Sequence, residues 1–307
     1  MGLLDWIFGK RKSEPEIVLS PSVKSRFETA IQRQGGKVCA WNATRADVEL
    51  GDELQTFDLV NLYITARRLN REISDDDFAD FLRKIEEGKK RRDETKIFAN
   101  IEHLLRPRVL SGALANTQRH LACREYVEDH LVRALTVDWG EVATYVTDSL
   151  LKEWDKSFDE VFNVGIEQLK LVSSREQFHP VEGVYDILAS NCQDGISSSR
   201  CLILNTLFSE VDPVQGILFS VPTNDVLLVH LVKGKASAAA PTKMINVSAE
   251  LFRSRPRPLT CEVFWIRGND VSRLNMILTV SNATGALSIN VICAGVMEEY
   301  LKLTGGI

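Results

Sequence analysis

An α+β fold with a mostly antiparallel sheet is what this sequence of 307 residues predicts. Three observations carry that prediction. Apolar residues recur at i, i+4 spacing in some stretches and alternate or run together in others, the periods of helix and strand. The two kinds of stretch are interleaved without the regular strand–helix–strand rhythm of a parallel sheet. Several strand-like stretches are joined only by tight turns, as in hairpins. An apolar fraction of 44% with 26% charged residues is that of a globular chain. The length has room for two domains. The pattern divides it into an N-terminal segment and linker over 1–19, a small α-β-β-α-α domain over 20–88, a charged linker over 89–99 and a larger α+β domain over 100–307.

The small domain opens at "SPSVKSRFETAIQRQGG". Ser20 is placed as N-cap, Pro21 at the first helical position, Val23, Phe27 and Ile31 four residues apart, and Gly35-Gly36 at the end. "KVCAW" and "RADVEL" predict two strands around a turn at Asn42. "TFDLVNLYITARRL" predicts a helix through Leu59, Leu62, Tyr63 and Ala66. "SDDDFADFLRKIEE" predicts another, with an acidic first turn and Phe78, Phe81, Leu82 and Ile85 on one face. "GKKRRDETK" places four consecutive basic residues among Glu86, Glu87, Asp93 and Glu94, a solvated linker or helix end.

In the larger domain, "HLVRALTVDWG" predicts a strand and "GEVATYVTDSLLKEW" a helix. "SFDEVFNVGIEQLKLV" predicts a helix that starts on a Ser157–Glu160 capping box. A strand at "GVYDILAS", a helix in "SSSRCLILNTLFSEV" and a hairpin in "QGILFSVPTNDVLLVHLV" follow. A helix around "TKMINVSAELF" comes next. The end predicts strands "CEVFWIRG", "RLNMILTV" and "ALSINVI" and a last helix "GVMEEYLKL".

Stretches of the second half resemble the YtpQ-like family of uncharacterised bacterial proteins, also catalogued as domain of unknown function 1444. They are "LRPRVL", "VDWGEVATYV", "SFDEVFNVGIEQLK", "GVYDIL" and "GILFSVPTNDVLLVH", in order and spacing, over roughly residues 100–235. At the hairpin turn the family pattern is Pro-Asn-Arg-Asp. Pro222 and Asp225 match it, and Thr223 and Asn224 depart from it. The resemblance implies a bacterial cytoplasmic α+β protein and assigns no activity.

The opening "MGLLDWIFGKRK" carries the sharpest functional signal. Wound as a helix, Leu3, Leu4, Trp6, Ile7 and Phe8 cover one broad face, and Lys10, Arg11 and Lys12 follow at its C-terminal end. An aromatic-rich apolar face beside a basic cluster is the pattern of a weak interfacial anchor on anionic lipid. Packing on the chain's own body or on a protein partner are the alternatives. The order of charge and apolar run is the reverse of a secretory signal, and no apolar run approaches the roughly 20 residues that span a bilayer.

Six cysteines without a CxxC pair predict reduced, mostly buried thiols in the cytoplasm. A net charge of -5, with the acidic excess beyond residue 100, argues against a nucleic-acid partner. His120, Cys123 and His130 in "RHLACREYVEDH" share one-turn spacing on an expected helix but lack the further ligands of a closed zinc site. No metal or cofactor is expected.

"DGISSSR" is not a GxSxG elbow, and its nearest base in sequence is His179. N-capping is the plain role for the serines. As a candidate anion site, Ser197, Ser198, Ser199 and Arg200 would sit at a helix start. "FRSRPRPL" is a surface connection, or an extended basic edge for an acidic partner. No catalytic residue is assigned. The expected function is a non-enzymatic interaction or adaptor protein, cytoplasmic and docked reversibly through residues 3–12 on the inner membrane face or on a protein partner. The alternative is a hydrolase for a phosphorylated or acylated small molecule, with its pocket at Ser197–Arg200.

Overall fold

The computed structural model describes residues 19–42, 45–50, 53–59, 62–63, 66, 71–112, 121–140, 143–192, 194–255, 257–274, 276–280, 287–291 and 295–306. Residues 3–12, the expected docking segment, and His120 of the candidate metal set lie outside them. The fold is α+β, and every described strand pair is antiparallel. The chain divides into two compact units, one ending at Glu94 and one spanning Thr95–Ile307.

In the first unit, helix α1 (Pro21–Arg33) starts where Pro21 and Ser20 place it. The Ser20 hydroxyl accepts the Val23 N–H at 3.3 Å. Phe27 and Ile31 are buried on its inner face. Strands β1 (Lys37–Asn42) and β2 (Arg45–Leu50) are joined by β3 (Glu53–Asp58), a third strand where only two are predicted. β3 takes the start of the stretch expected to be helical, because its residues pair along the whole length of β2. Helix α2 (Asp75–Thr95) is capped reciprocally: Ser74 Oγ accepts the Asp77 N–H, and the Asp77 carboxylate accepts the Ser74 N–H. It runs through most of the stretch expected as a linker. Gly88 costs a helix only about 1 kcal/mol relative to Ala, and the Asp80–Lys84 and Arg83–Glu87 pairs support the preceding turns. Phe27, Phe57, Phe78 and Leu82 form the core of this unit.

In the second unit, a short helix α3 (Phe98–Ile101) leads into β4 (Leu105–Ser111), which pairs with β6 (Leu131–Asp138). β5 (Cys123–Val127) pairs with the other edge of β6. Here a helix carrying Cys123 was expected. A turn at Asp129, with φ 60° in the left-handed region, folds the chain back as a hairpin instead. β7 (Ala143–Tyr145) also pairs with β6, so the predicted helix over 140–154 is a strand followed by α4 (Asp148–Glu153). Val-Ala-Thr-Tyr-Val suits a pleated surface better than a helix. Helix α5 (Phe158–Leu171) begins on the predicted Ser157–Glu160 capping box and buries Phe158, Val161, Phe162 and Leu169. It passes so close to the sheet at Gly165 that a β-carbon there would sit 2.8 Å from the Leu135 side chain.

The largest sheet has six strands in the order β13-β12-β10-β11-β9-β8. They are β8 (Phe178–Val181), β9 (Val184–Ser190), β10 (Ile217–Thr223), β11 (Val226–Leu231), β12 (Phe264–Arg267) and β13 (Asp270–Arg273). β8 is missed by the sequence pattern; Pro180 marks it as an edge strand. β10 is buried at every residue because both faces of the sheet are covered. Leu218 and Leu228 face helices α7 (Ala240–Ser254) and α8 (Val296–Thr304). Phe219 and Val229 face Val109, Leu131 and a segment made of a 3-10 turn (Ser198–Ile203) and the short helix α6 (Leu204–Leu207). A separate pair, β14 (Met276–Val280) and β15 (Leu287–Val291), precedes α8. Of the five described cysteines only Cys201 is buried, fewer than expected, and all five are unpaired thiols.

Burying polar groups in this double-sided core requires partners. Ser248 Oγ donates to Ser220 Oγ at 2.8 Å. His230 lies between the carbonyl of Asp186, 2.7 Å from Nδ1, and Ser237 Oγ, 2.8 Å from Nε2. The Asp186 carbonyl can only accept, so Nδ1 carries a proton, and a neutral imidazole, the form that burial favours, would take the Ser237 hydroxyl proton at Nε2. Burial lowers the His230 pKa, against the Asp186 carboxylate and with Lys243 and Lys233. The folded pKa lies below the unfolded value of about 6.5, so the contribution is complete above that pH and is lost as pH falls through the folded value. Stability should decline more steeply in the wild type than in His230→Gln between pH 7 and 5, by at most about 1.4 kcal/mol per pH unit. Urea unfolding across that range measures it; parallel slopes would remove His230 as the titrating group.

Candidate functional site

Four loops and strand ends of the larger unit meet around two arginines. Arg200, in the Ser198–Ile203 turn, is 0% exposed. Its guanidinium engages Asp194 through two nitrogens, Nη2 to Oδ2 at 2.5 Å and Nη1 to Oδ1 at 3.3 Å, and Nε donates to Gln177 Oε1 at 3.0 Å. Such a planar bidentate pair is the strong form of a charge-assisted bond. Burial by itself would raise the Asp194 pKa, but the Arg200 bond, the Ile196 N–H and the Arg200 charge overcome it and hold the carboxyl below its ordinary value.

The three serines do not form the expected capped helix start. Ser197 Oγ accepts the Cys192 N–H at 3.1 Å and bonds to Asp194, so it closes the 192–197 loop rather than capping the turn. Ser198 is buried, and its N–H donates to the Asn224 carbonyl at 3.2 Å. Ser199 Oγ is buried without a hydrogen-bond partner among the described residues. The four residues of the candidate anion site are thus together, but they are enclosed, and the Arg200 charge is directed to Asp194.

The second arginine, Arg108 of β4, was not singled out by the sequence. Its Nη1 donates to the Gly195 carbonyl, Nε to Thr136 Oγ1 at 3.2 Å and Nη2 to Asp138 at 3.3 Å. It therefore ties the 194–200 loop to the β4–β6 sheet. Burial is the largest influence on the guanidinium and lowers its pKa; Asp138, Tyr145 and Asp194 oppose this and Arg257 adds to it. Burial raises the Tyr145 phenol, while Arg108 and Arg257 pull it down. The "FRSRPRPL" stretch brings Arg257 here as a connection paired to the end of β10, with Leu259 N–H on the Pro222 carbonyl and Thr223 bridged to Pro258.

The other candidate residues are separated from this junction. His130 Nδ1 pairs with Glu262 at 2.7 Å. No group of three His, Cys, Asp or Glu among the described residues is placed to hold a metal ion. A cleft of about 200 Å³ in the first unit is lined by Arg26, Arg33 and Leu82, but Arg26 is committed to Asp75 and the Ile73 carbonyl. Comparison with protein-family profiles, curated proteins and solved structures finds no match.

An enclosed hydroxyl without a partner destabilises the folded chain. Ser199→Ala is expected to raise stability by about 1 kcal/mol in urea unfolding. A loss of that size instead would mean that the hydroxyl holds a bond.

Proposed function

We propose that this chain is a non-enzymatic interaction protein, held reversibly at an anionic membrane surface by residues 3–12, and of the kind the YtpQ-like family represents in the bacterial cytoplasm. The observation that carries this reading is the sequence order itself. Leu3, Leu4, Trp6, Ile7 and Phe8 offer an apolar, aromatic-rich face, and Lys10, Arg11 and Lys12 adjoin it. Among the described residues no helix is long and apolar enough to cross a membrane, so attachment through this segment would be peripheral.

Preference for an interaction protein over a hydrolase draws on the arginine junction. A nucleophile needs a base within hydrogen-bond reach and space for a substrate. Ser197, Ser198 and Ser199 are enclosed, and His179, exposed on β8, makes no bond to them. Arg200, the residue that would hold a phosphate, already neutralises Asp194.

Two turns of helix are marginal alone, so the segment would order on contact and bind weakly. The full chain should co-sediment with phosphatidylglycerol-containing vesicles at low salt. Binding should weaken as salt screens the basic cluster and disappear when residues 1–12 are removed. If the full chain stays in solution with these vesicles, the membrane reading fails and a protein partner takes its place.

A further inference from the structure

A 3-10 turn, Gly234–Ser237, joins β11 to α7, and its last residue holds three elements together. Ser237 is buried, and so are His230 of β11 and Tyr300 of α8. Ser237 Oγ accepts the Lys233 N–H at 2.7 Å and lies 2.8 Å from His230 Nε2. The Ser237 carbonyl accepts the Tyr300 hydroxyl at 2.6 Å. Burial raises the pKa of that phenol, so it stays a donor. The Tyr300 ring stands perpendicular to Trp265, with centroids 5.4 Å apart. Gly305, at the end of α8, passes so close to the turn that a β-carbon there would lie 3.1 Å from the Lys235 side chain. α8 therefore meets the turn at its middle and at its end.

The Ser237 hydroxyl has one proton to give. With a neutral imidazole that proton goes to Nε2, and the Lys233 N–H fills a lone pair. A proton on Nε2 turns that nitrogen into a donor. The Ser237 oxygen then faces two donors, and its own proton has no acceptor among the described residues. A buried O–H without an acceptor is unfavourable.

The surroundings of His230 act in the same direction. Burial opposes the charged imidazole most. β9 brings Asp186, whose carboxylate is 3.9 Å from Nδ1 but is shared with Lys243 of α7 at 3.0 Å. Lys243 and Lys233 both oppose a further positive charge. β10 places Leu218 opposite His230. α8 brings the Tyr300 phenol, and its Glu298 and Glu299 are paired with Lys302 and Arg267.

We propose that the Gly234–Ser237 turn is a proton-operated latch: protonation of His230 opens it and releases helix α8, while the rest of the larger unit stays folded. Opening moves Ser237 away from Nε2, gives the imidazolium access to water and takes away the carbonyl that holds Tyr300. The apolar residues packed with α8, among them Met244 and Trp265, are then uncovered. The device is independent of the N-terminal segment and of membrane attachment.

Hydrogen exchange of the full chain, read by mass spectrometry at pH 7.5 and 5.5, tests it, with rates taken relative to an unfolded chain at each pH. Because the closed turn disfavours the imidazolium, opening becomes more favourable below about pH 6.5, by up to tenfold per pH unit. Protection of the 296–304 amides should fall by about threefold to tenfold between the two pH values. At pH 5.5 these amides should also be at least about tenfold less protected than those of α5, which packs over β6 at Gly165, since they open without the unit unfolding. In His230→Gln the protection of 296–304 should be equal at both pH values. Tyr300→Phe keeps the ring beside Trp265 but cuts the link to Ser237. Its 296–304 amides should be less protected already at pH 7.5 and should respond less to acid. Circular dichroism checks that each variant folds. Equal protection of 296–304 at both pH values in the wild type overturns the proposal. So does a fall that brings α5 and α8 to one value, or a fall that persists in full in either variant.

Discussion

A guanidinium with no contact with water cannot stay charged in a protein interior without a compensating anion and a full set of acceptors. The cost of dehydrating it amounts to several kcal/mol even after relaxation. Arg200 is such a group, and the architecture around it follows from that requirement. Asp194 must lie within reach, so the chain folds back over Gly195, whose φ of 71° permits the turn. Gln177, at the entry to β8, supplies the acceptor for Nε. The loop so formed presents the Gly195 carbonyl to Arg108 and the Ser198 N–H to Asn224. One buried charge therefore links β4, β8, the β10–β11 turn and the segment carrying α6.

Around that junction the packing is unusually two-sided for an antiparallel sheet. β10 and β11 carry apolar residues to both faces, with α7 and α8 on one side and the Phe208, Cys201 and Leu131 side chains on the other. Sheets of this kind leave function to their loop ends. Three such ends are tied together at Asn224, whose N–H donates to the Arg257 carbonyl and whose carbonyl accepts the Ser198 N–H.

Much of the fold is legible in the sequence. The i, i+4 pattern of Phe27 and Ile31, the Ser157–Glu160 box and the β10–β11 hairpin are local signals, and local signals locate local elements. The pattern fails where partners at a distance decide. Val142, Val146, Leu150 and Trp154 stand four residues apart in sequence, the spacing of a helix, yet β6 is available to pair with residues 143–145. β8 is only four residues long and contains Pro180.

The junction is harder still. Asp194 and Arg200 both stand in the stretch noticed for its serines, but whether an arginine six residues from an aspartate meets it or a ligand depends on burial, which no spacing encodes. Arg108, Asp138 and Tyr145 come from three strands brought together by β6. Their stretches drew notice for resembling the YtpQ-like family, not for chemistry.

The central claim, that the ion pair of buried Arg200 with Asp194 organises the larger unit, is tested most directly by a double-mutant cycle. Arg200→Met, Asp194→Asn and the double variant would be unfolded in urea at neutral pH. Asp194→Asn leaves a buried charge uncompensated and should be the most damaging single change. The double variant should lose less than the sum of the singles by about 2 kcal/mol. Losses that add to within about 0.5 kcal/mol would contradict the claim, because the two side chains would then contribute independently.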